Sequence, residues 1–430
     1  MGFRFITSLL LSSSFLFGAQ KTFSQSRDLN FYLQQGIQNN PVLKEKIGLQ
    51  SITGIQNQLI NAQYHSPQIS VTGDYLLSPF FNSNGKAIAI TSEPSSDAYG
   101  YDVDITNGGL YSALLNVNVP LFTKGITAPL LLQNKTQFDQ LGNEQQLVRH
   151  ELEKHLTDLF IIAFQYQQQI QTTKEIMLLM DQRISVVKQL AEKGLMAQSD
   201  YLLLQIEKGN RVNDLLNLQF QFKSVLIQLN DSCGIRDTGF VQLIPLQLDV
   251  SARKTSFSYQ DKFRIDSLNN MVKQEVFNTK YQPQLSVFGN TGLNATYAPE
   301  IPHNFGFSAG VHLSVPIYDG NQKKINNDIM QLNQKIIGQY KSNYEIVLNN
   351  NLDLLESQMQ QKQKNISFQQ QQLEQYKTLL SVYEQQVING QLSVIDYLAT
   401  VEKYRVAQQS IVQSQTDLLL LISQYNYFNW

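Results

Sequence analysis

From Leu152 onward, apolar residues step by four and three: Leu156, Leu159, Ala163, Tyr166, Ile170, then, past Thr173, Met177, Met180, Ile184, Val187 and Ala191. A 4-3 spacing held this long predicts a coiled-coil seam, narrower than the stripe of an ordinary surface helix. It ends at Gly194, and Asp200 follows six residues later. The pattern returns near the C-terminus with Leu348, Leu352, Leu355, Met359, Ile366, Leu373, Tyr376, Leu380, Tyr383 and Val387. Only Lys362 and Gln369 break this second seam, which ends at Gly390 with Asp396 beyond it. Glycine to glycine and aspartate to aspartate, the offset is 196 residues. The chain reads as a tandem duplication, each half carrying a long helix, a glycine tip and a returning helix.

A second period, of two residues, precedes each seam. After Pro67, Ile69, Val71 and Tyr75 oppose Gln68, Ser70, Thr72 and Asp74. Next, Tyr111, Ala113, Leu115, Val117 and Val119 oppose Ser112, Asn116 and Asn118, and the run stops at Pro120. In the second half, Pro283 opens a run with Leu285, Val287, Leu293, Ala295 and Tyr297 on one face and Gln284, Ser286, Asn290, Asn294 and Thr296 on the other. The clearest run sets Phe305, Phe307, Ala309, Val311, Leu313 and Val315 against Asn304, Gly306, Ser308, Gly310, His312 and Ser314, ending at Pro316. Such alternation predicts four strands, each with one apolar and one polar face. Helices are expected before each pair, over 28–62 with a break at Asn39-Asn40-Pro41, and over 263–281. Pro120 and Pro316 keep the 196-residue offset, but Pro67 and Pro283 are 216 apart, so the halves differ upstream of the second strand. The long loop from Ser78 to Gly109, with Asp97, Asp102 and Asp104, accounts for that difference in spacing. The expected division is a first repeat over 26–230, a linker over 231–262 and a second repeat over 263–430.

Composition narrows the setting. Charged residues are only 16% of the chain, and 33 basic residues nearly balance 35 acidic ones, which argues against a nucleic-acid partner. Cys233 is the single cysteine, so neither an internal disulfide nor a cysteine metal site is expected. Residues 1–25 read as an export signal, with Arg4 as the charge, Phe5 to Phe17 as the apolar core and Gly18-Ala19 as a small-residue cleavage site; a cut after Ser24 or Gln25 is the alternative. No cysteine follows for an acyl anchor, and no stretch approaches eighteen uninterrupted apolar residues. A membrane crossing therefore falls to the strands.

Their polar faces are too polar for a protein core and their apolar faces too regular for water. Lipid on one side and a water-filled lumen on the other suit both. Four strands alone leave edge backbone groups unpaired in lipid, so several chains must close one barrel together. From Thr127 to Lys193, at about 1.5 Å per residue, the long helix reaches roughly 100 Å, far beyond a bilayer.

The duplication, the order of elements, the ending Val315-Pro316-Ile317-Tyr318-Asp319-Gly320 and the paired glycine–aspartate tips together resemble the TolC family of outer-membrane efflux channels. The resemblance covers nearly the whole mature chain. It implies an α+β membrane protein: a homotrimeric 12-stranded transmembrane β-barrel in the outer membrane, continued by a periplasmic α-helical coiled-coil barrel from an internally duplicated protomer. It also implies a passive duct for efflux or type I secretion, coupled to a periplasmic adaptor (membrane fusion protein) and an inner-membrane pump of RND or ABC type. Adaptor docking would fall at Gly194 and Gly390; backbone geometry alone also explains a glycine that ends a helix. Asp200 and Asp396 would line the periplasmic gate, although a carboxylate at a helix N-terminus is also favoured by the helix dipole. Leu392 stands where the best-known pattern has an arginine partner for the gate, and Ala399 where it has a second acid.

His150 and His155 look superficially like a zinc helix, but five-residue spacing puts them on different faces, so solvated surface is the expectation and no metal or other cofactor is expected. Phosphate loops and nucleophile elbows are absent, which points away from an enzyme. Trp430 resembles the terminal aromatic of barrel proteins but follows a helix here. The competing reading is a periplasmic coiled-coil adaptor or structural protein, which leaves the two pairs of two-faced strands unexplained.

Overall fold

The computed structural model describes residues 26–82, 89–91, 98–99, 109–237 and 239–430. The expected signal over 1–25 and the loop residues Asp97, Asp102 and Asp104 lie outside the described residues. In chain order the first elements are β1 (Ser26–Arg27), α1 (Leu29–Asn39), α2 (Pro41–His65), β2 (Gln68–Leu77), β3 (Phe80–Asn82), β4 (Ala89–Thr91), β5 (Ala98–Tyr99) and β6 (Gly109–Leu121). The long helix α3 (Lys124–Glu192) and α4 (Gln198–Ser232) follow. Then come β7 (Gln242–Leu243), α5 (Gln260–Asn278), β8 (Gln284–Ala295), β9 (Phe305–Ser314), α6 (Gln322–Ile388) and α7 (Val394–Phe428). Asn40 separates α1 from α2 by capping: its side-chain oxygen accepts from the Leu43 N–H at 3.0 Å, and Pro41 sits in the first turn, where the missing N–H has no helical partner to lose. The stretch read as a loop after β2 holds a small sheet in the order β4-β3-β5, which no alternation in the sequence announced.

The contacts divide the chain into two compact units. The first takes the described residues up to Gln38 together with His155–Leu248 and Lys362–Leu420. It is helical apart from the parallel pair β1–β7, with Ser26 opposite Gln242. Tyr32 of α1, Leu156, Phe160 and Ala163 of α3, Leu229 of α4 and Cys233 are buried together in its core. The Tyr32 and Phe160 rings meet edge-on at 6.0 Å, and the Cys233 thiol donates to the Tyr32 carbonyl at 3.2 Å. Each polar break in the two seams finds a partner, although the Gln369 side-chain oxygen is buried without one among the described residues. Buried Thr173 donates to the Gln169 carbonyl at 2.8 Å, Lys362 pairs with Asp417 of α7 at 3.0 Å, and Gln369 donates to Ser410 of α7 at 2.9 Å. A polar group in a seam survives where it finds a partner.

The second unit comprises Asn39–Lys154, Asp249–Gln361 and Leu421–Trp430. Its centre is a four-stranded antiparallel sheet in the order β2-β6-β8-β9. An aromatic cluster holds the end of α7. The His150 ring lies between Tyr427 at 4.9 Å and Trp430 at 4.2 Å, its Nε2 donates to the Tyr427 carbonyl at 2.9 Å, and Tyr259 packs edge-on against Trp430. His150 is thus half-buried and stacked, not the solvated surface expected of it, because two aromatic faces shield it. His155 is exposed as expected, with Nε2 3.3 Å from the Ser232 hydroxyl.

Candidate functional site

In an antiparallel pair, residues directly opposite share a face. Val71 opposes Leu115, Val117 opposes Gly289, Val119 opposes Val287, and Val287 opposes Val311. One face of the sheet therefore collects Ile69, Val71, Tyr75, Tyr111, Leu115, Leu293, Phe305, Phe307, Val311 and Leu313. This face is bare: Val71 is 77% and Phe307 90% exposed. The other face joins Gln68, Ser70, Thr72 and Asp74 to Asn118, Asn116 and Ser112, then to Asn290, Ser308 and His312. It is knitted by cross-strand bonds, from Asn116 to Thr72 at 2.8 Å and from Ser308 to Asn290 at 2.5 Å. Phe288 is an apolar exception on it. Its ring lies over Gly310, where a Cβ would come within 2.6 Å of the ring. The sheet is open at both sides, since β2 pairs only with β6 and β9 only with β8 among the described residues.

Pro120 lies inside β6, one residue before its end, while Pro316 lies two residues beyond β9. Each is followed two residues later by an exposed aromatic, Phe122 or Tyr318, again 196 residues apart. Sequence reasoning gave neither aromatic a role. Their signal was the shared offset.

At the far ends of the long helices, the two tips are built alike. Gly194 and Gly390 both have φ +72°, a left-handed conformation that a side chain disfavours. The N–H of Gly194 bonds the Ala191 carbonyl at 2.9 Å and that of Leu195 the Leu190 carbonyl at 2.9 Å. In the second tip, Gly390 bonds Val387 at 3.0 Å and Gln391 bonds Gln386 at 2.8 Å. This double bond is the usual way a left-handed glycine satisfies the last carbonyls of a helix. Among the described residues, nothing beyond each glycine's own chain neighbours lies within 4 Å of a Cβ placed on it, and both glycines are exposed. Beneath them Val187, Leu204, Val387, Val394 and Tyr397 form one buried cluster, with Met196 and Leu392 packed against it. Leu392 therefore spends its side chain on packing.

The aspartates differ. The Ser393 hydroxyl donates to the Asp396 carboxylate at 2.7 Å and accepts from the Asp396 N–H at 3.1 Å, a box that caps α7. In the first tip Ala197 holds the cap position and makes no side-chain bond there, so Asp200 has no such partner hydroxyl. Ser393-x-x-Asp396 was legible in the sequence as a capping pattern.

Sequence reasoning also missed an ionic network near the tips. Buried Arg183 pairs with Glu384. Buried Arg211 bonds Glu207 at 2.7 Å and Asp214 at 2.8 Å and approaches Glu402 at 3.6 Å, while Glu402 also pairs with Arg405. Adding 196 to Arg211 gives Ala407, so the duplication hides these pairs. The local signals were the four-residue spacing of Glu207 and Arg211 and the three-residue spacings of Arg211 with Asp214 and of Glu402 with Arg405. Among the described residues no group of three or more His, Cys, Asp or Glu is placed to hold a metal ion, and no helix is long and apolar enough to cross a membrane.

No protein-family model matches the chain, and no curated protein matches it in sequence. Solved structures do match in fold. The outer membrane protein VceC of Vibrio cholerae superposes with a TM-score of 0.68 at 11% identity, over 93% of this chain and 96% of that one. The CmeC outer membrane channel of Campylobacter jejuni gives 0.67 at 12% identity, over 93% and 85%. The open state of the MtrE outer membrane channel of Neisseria gonorrhoeae gives 0.64 at 11% identity, over 93% and 88%. The resemblance read from the sequence is thus matched in structure: this chain has the fold of solved outer-membrane channels along nearly its whole length.

Proposed function

We propose that the chain is one protomer of a homotrimeric outer-membrane channel of the TolC family, a passive export duct. The observation that carries this reading is the bare apolar face of the sheet together with its two open edges. In water that face has no cover, and in lipid its edges have no partner. Three copies of four strands close a 12-stranded barrel that satisfies both, with the Asn- and Ser-lined face turned to a water-filled lumen. Residues 1–25 serve as the export signal. Residues 26–230 and 263–430 act as two repeats joined by 231–262, their long helices reaching into the periplasm. Phe122 and Tyr318 sit at the inner membrane boundary, where aromatic rings are favoured.

The tips at Gly194 and Gly390 receive a periplasmic adaptor that couples the duct to an inner-membrane pump of RND or ABC type. Their open surroundings and matching geometry support that role. Asp200 and Asp396 ring the periplasmic entrance. With Leu392 packed inward, the restraint on opening comes from elsewhere in the tip.

The direct test is conductance. Purified mature chain added to planar lipid bilayers is expected to give stepwise, ohmic currents. Protein that inserts, as judged by protease protection, yet carries no current would contradict a duct.

A further inference from the structure

Below each pair of strands, where the chain passes between sheet and helices, one contact is repeated. His65 ends α2 three residues before Gln68, and Thr123 lies five residues after Asn118, the partner of Gln68 across β2 and β6. His65 Nδ1 and the hydroxyl of buried Thr123 are 3.1 Å apart. In the second half Tyr281 ends the 3-10 turn Thr279–Tyr281 three residues before Gln284, and Asp319 lies five residues after Ser314, the partner of Gln284 across β8 and β9. The Tyr281 hydroxyl donates to the Asp319 carboxylate at 2.6 Å. The residues correspond by the offsets of the duplication: 216 separates His65 from Tyr281, as it does Pro67 from Pro283, and 196 separates Thr123 from Asp319. The side chains have changed and the contact has stayed. Each outgoing partner also bonds the first turn of the next helix. The Thr123 carbonyl accepts from the N–H groups of Ile126 and Thr127 at 2.9 and 2.8 Å, and the Asp319 carboxylate accepts from the Lys323 N–H at 2.8 Å.

The register of a hairpin is ordinarily held by a tight turn. Here the connections are long, residues 78–108 between β2 and β6 and residues 296–304 between β8 and β9. A slip of one residue would turn a whole strand over, setting Ile69 opposite Asn116 or Asn118 in place of Val117. The helical end of each pair offers the fixed point that the connection lacks. We propose that His65–Thr123 and Tyr281–Asp319 are one duplicated clasp, which sets the register of its strand pair by tying the end of the incoming helical segment to the start of the outgoing one. The clasp lies within the sheet of a single chain and does not depend on how many copies close a barrel.

A disulfide reports the register in the full mature chain extracted from cell membranes. Ser70→Cys with Asn116→Cys, directly opposite in β2 and β6, should link within one chain on brief oxidation and migrate faster on a non-reducing denaturing gel. The native thiol, Cys233, is buried and does not compete. In this reporter Thr123→Val keeps the side-chain shape without the hydroxyl, and the ratio of linked to unlinked chain should fall about fivefold, the worth of one hydrogen bond. Ser112→Ala, which removes a bond to Asp74 within the same strand pair, should leave the ratio unchanged. The second clasp is then grafted into the first. His65→Tyr and Thr123→Asp together should restore linkage, whereas Thr123→Asp alone buries a carboxylate without its hydroxyl donor and should link less than Thr123→Val. If the single variants fail to accumulate, recovery and linkage of the grafted chain still support the clasp. Tyr281→Phe, read with Asn290→Cys and Ser308→Cys, repeats the test in β8 and β9 and should lower linkage likewise. Undiminished linkage in Thr123→Val or Tyr281→Phe, or a graft that does no better than Thr123→Asp alone, would overturn the proposal.

Discussion

Replacing Val311 with lysine tests which side of the sheet meets lipid. Val311 lies on the bare face of β9, opposite Val287, and is 65% exposed. The middle of β9 falls between Ala309 and Gly310, so at about 3.3 Å per residue Val311 is roughly 5 Å from it along the strand. A lysine on a lipid-facing strand position costs about 2–4 kcal/mol at the bilayer midplane and about 0–1 near an interface. At this depth Val311→Lys is expected to cost about 2–3 kcal/mol, roughly a 30- to 150-fold loss in the folding equilibrium. His312→Lys is the matched control. It lies one residue on, at nearly the same depth, but on the polar face opposite Ser286, and should cost under about 0.5 kcal/mol because the new charge stays in water. Urea-dependent refolding into lipid vesicles, followed by protease resistance, measures both. Equal losses at the two positions, or a silent Val311→Lys, would refute the assignment of faces.

Gly390→Ala should lose about 1 kcal/mol through its left-handed backbone and leave export intact, while Gly390→Trp should abolish export and adaptor crosslinking at normal trimer levels; export by the Trp variant would make the tip only a turn. Ser393→Ala removes the cap of α7 and should cost about 1 kcal/mol, whereas Ala197→Ser in the first tip should gain a cap and slow local exchange, both read by amide hydrogen exchange. Burial holds His150 below its ordinary 6.5, so its neutral stack is fully present above that pH and is lost as pH falls through the lowered value. Since Trp430 is the one tryptophan and stacks on His150, its fluorescence should titrate with a midpoint below 6.5, and the transition should vanish in His150→Phe; a midpoint above 6.5 would contradict the burial argument.

What the sequence made legible were features with a period. Strict alternation placed Val71, Leu115, Val287 and Val311 on one face, and the strand register agrees residue by residue. The 196-residue offset brought out both tip glycines, which share φ +72°. Interactions that depend on a single residue far away in the chain were hidden. Arg211 meets Glu402 across 191 positions with no counterpart in the other half, and His150 meets Trp430 only once α7 has folded back. A pattern of polar and apolar residues also cannot say which side of a helix its own chain will take.

The claim that everything else hangs on is that three copies share one barrel in the outer membrane. The measurement is the protein mass of the complex extracted from purified outer membranes in mild detergent, corrected for bound detergent. With a full chain of 49.0 kDa, less the export signal, the account predicts the mass of three mature chains and no free monomer. A single chain recovered from the soluble periplasmic fraction would contradict it.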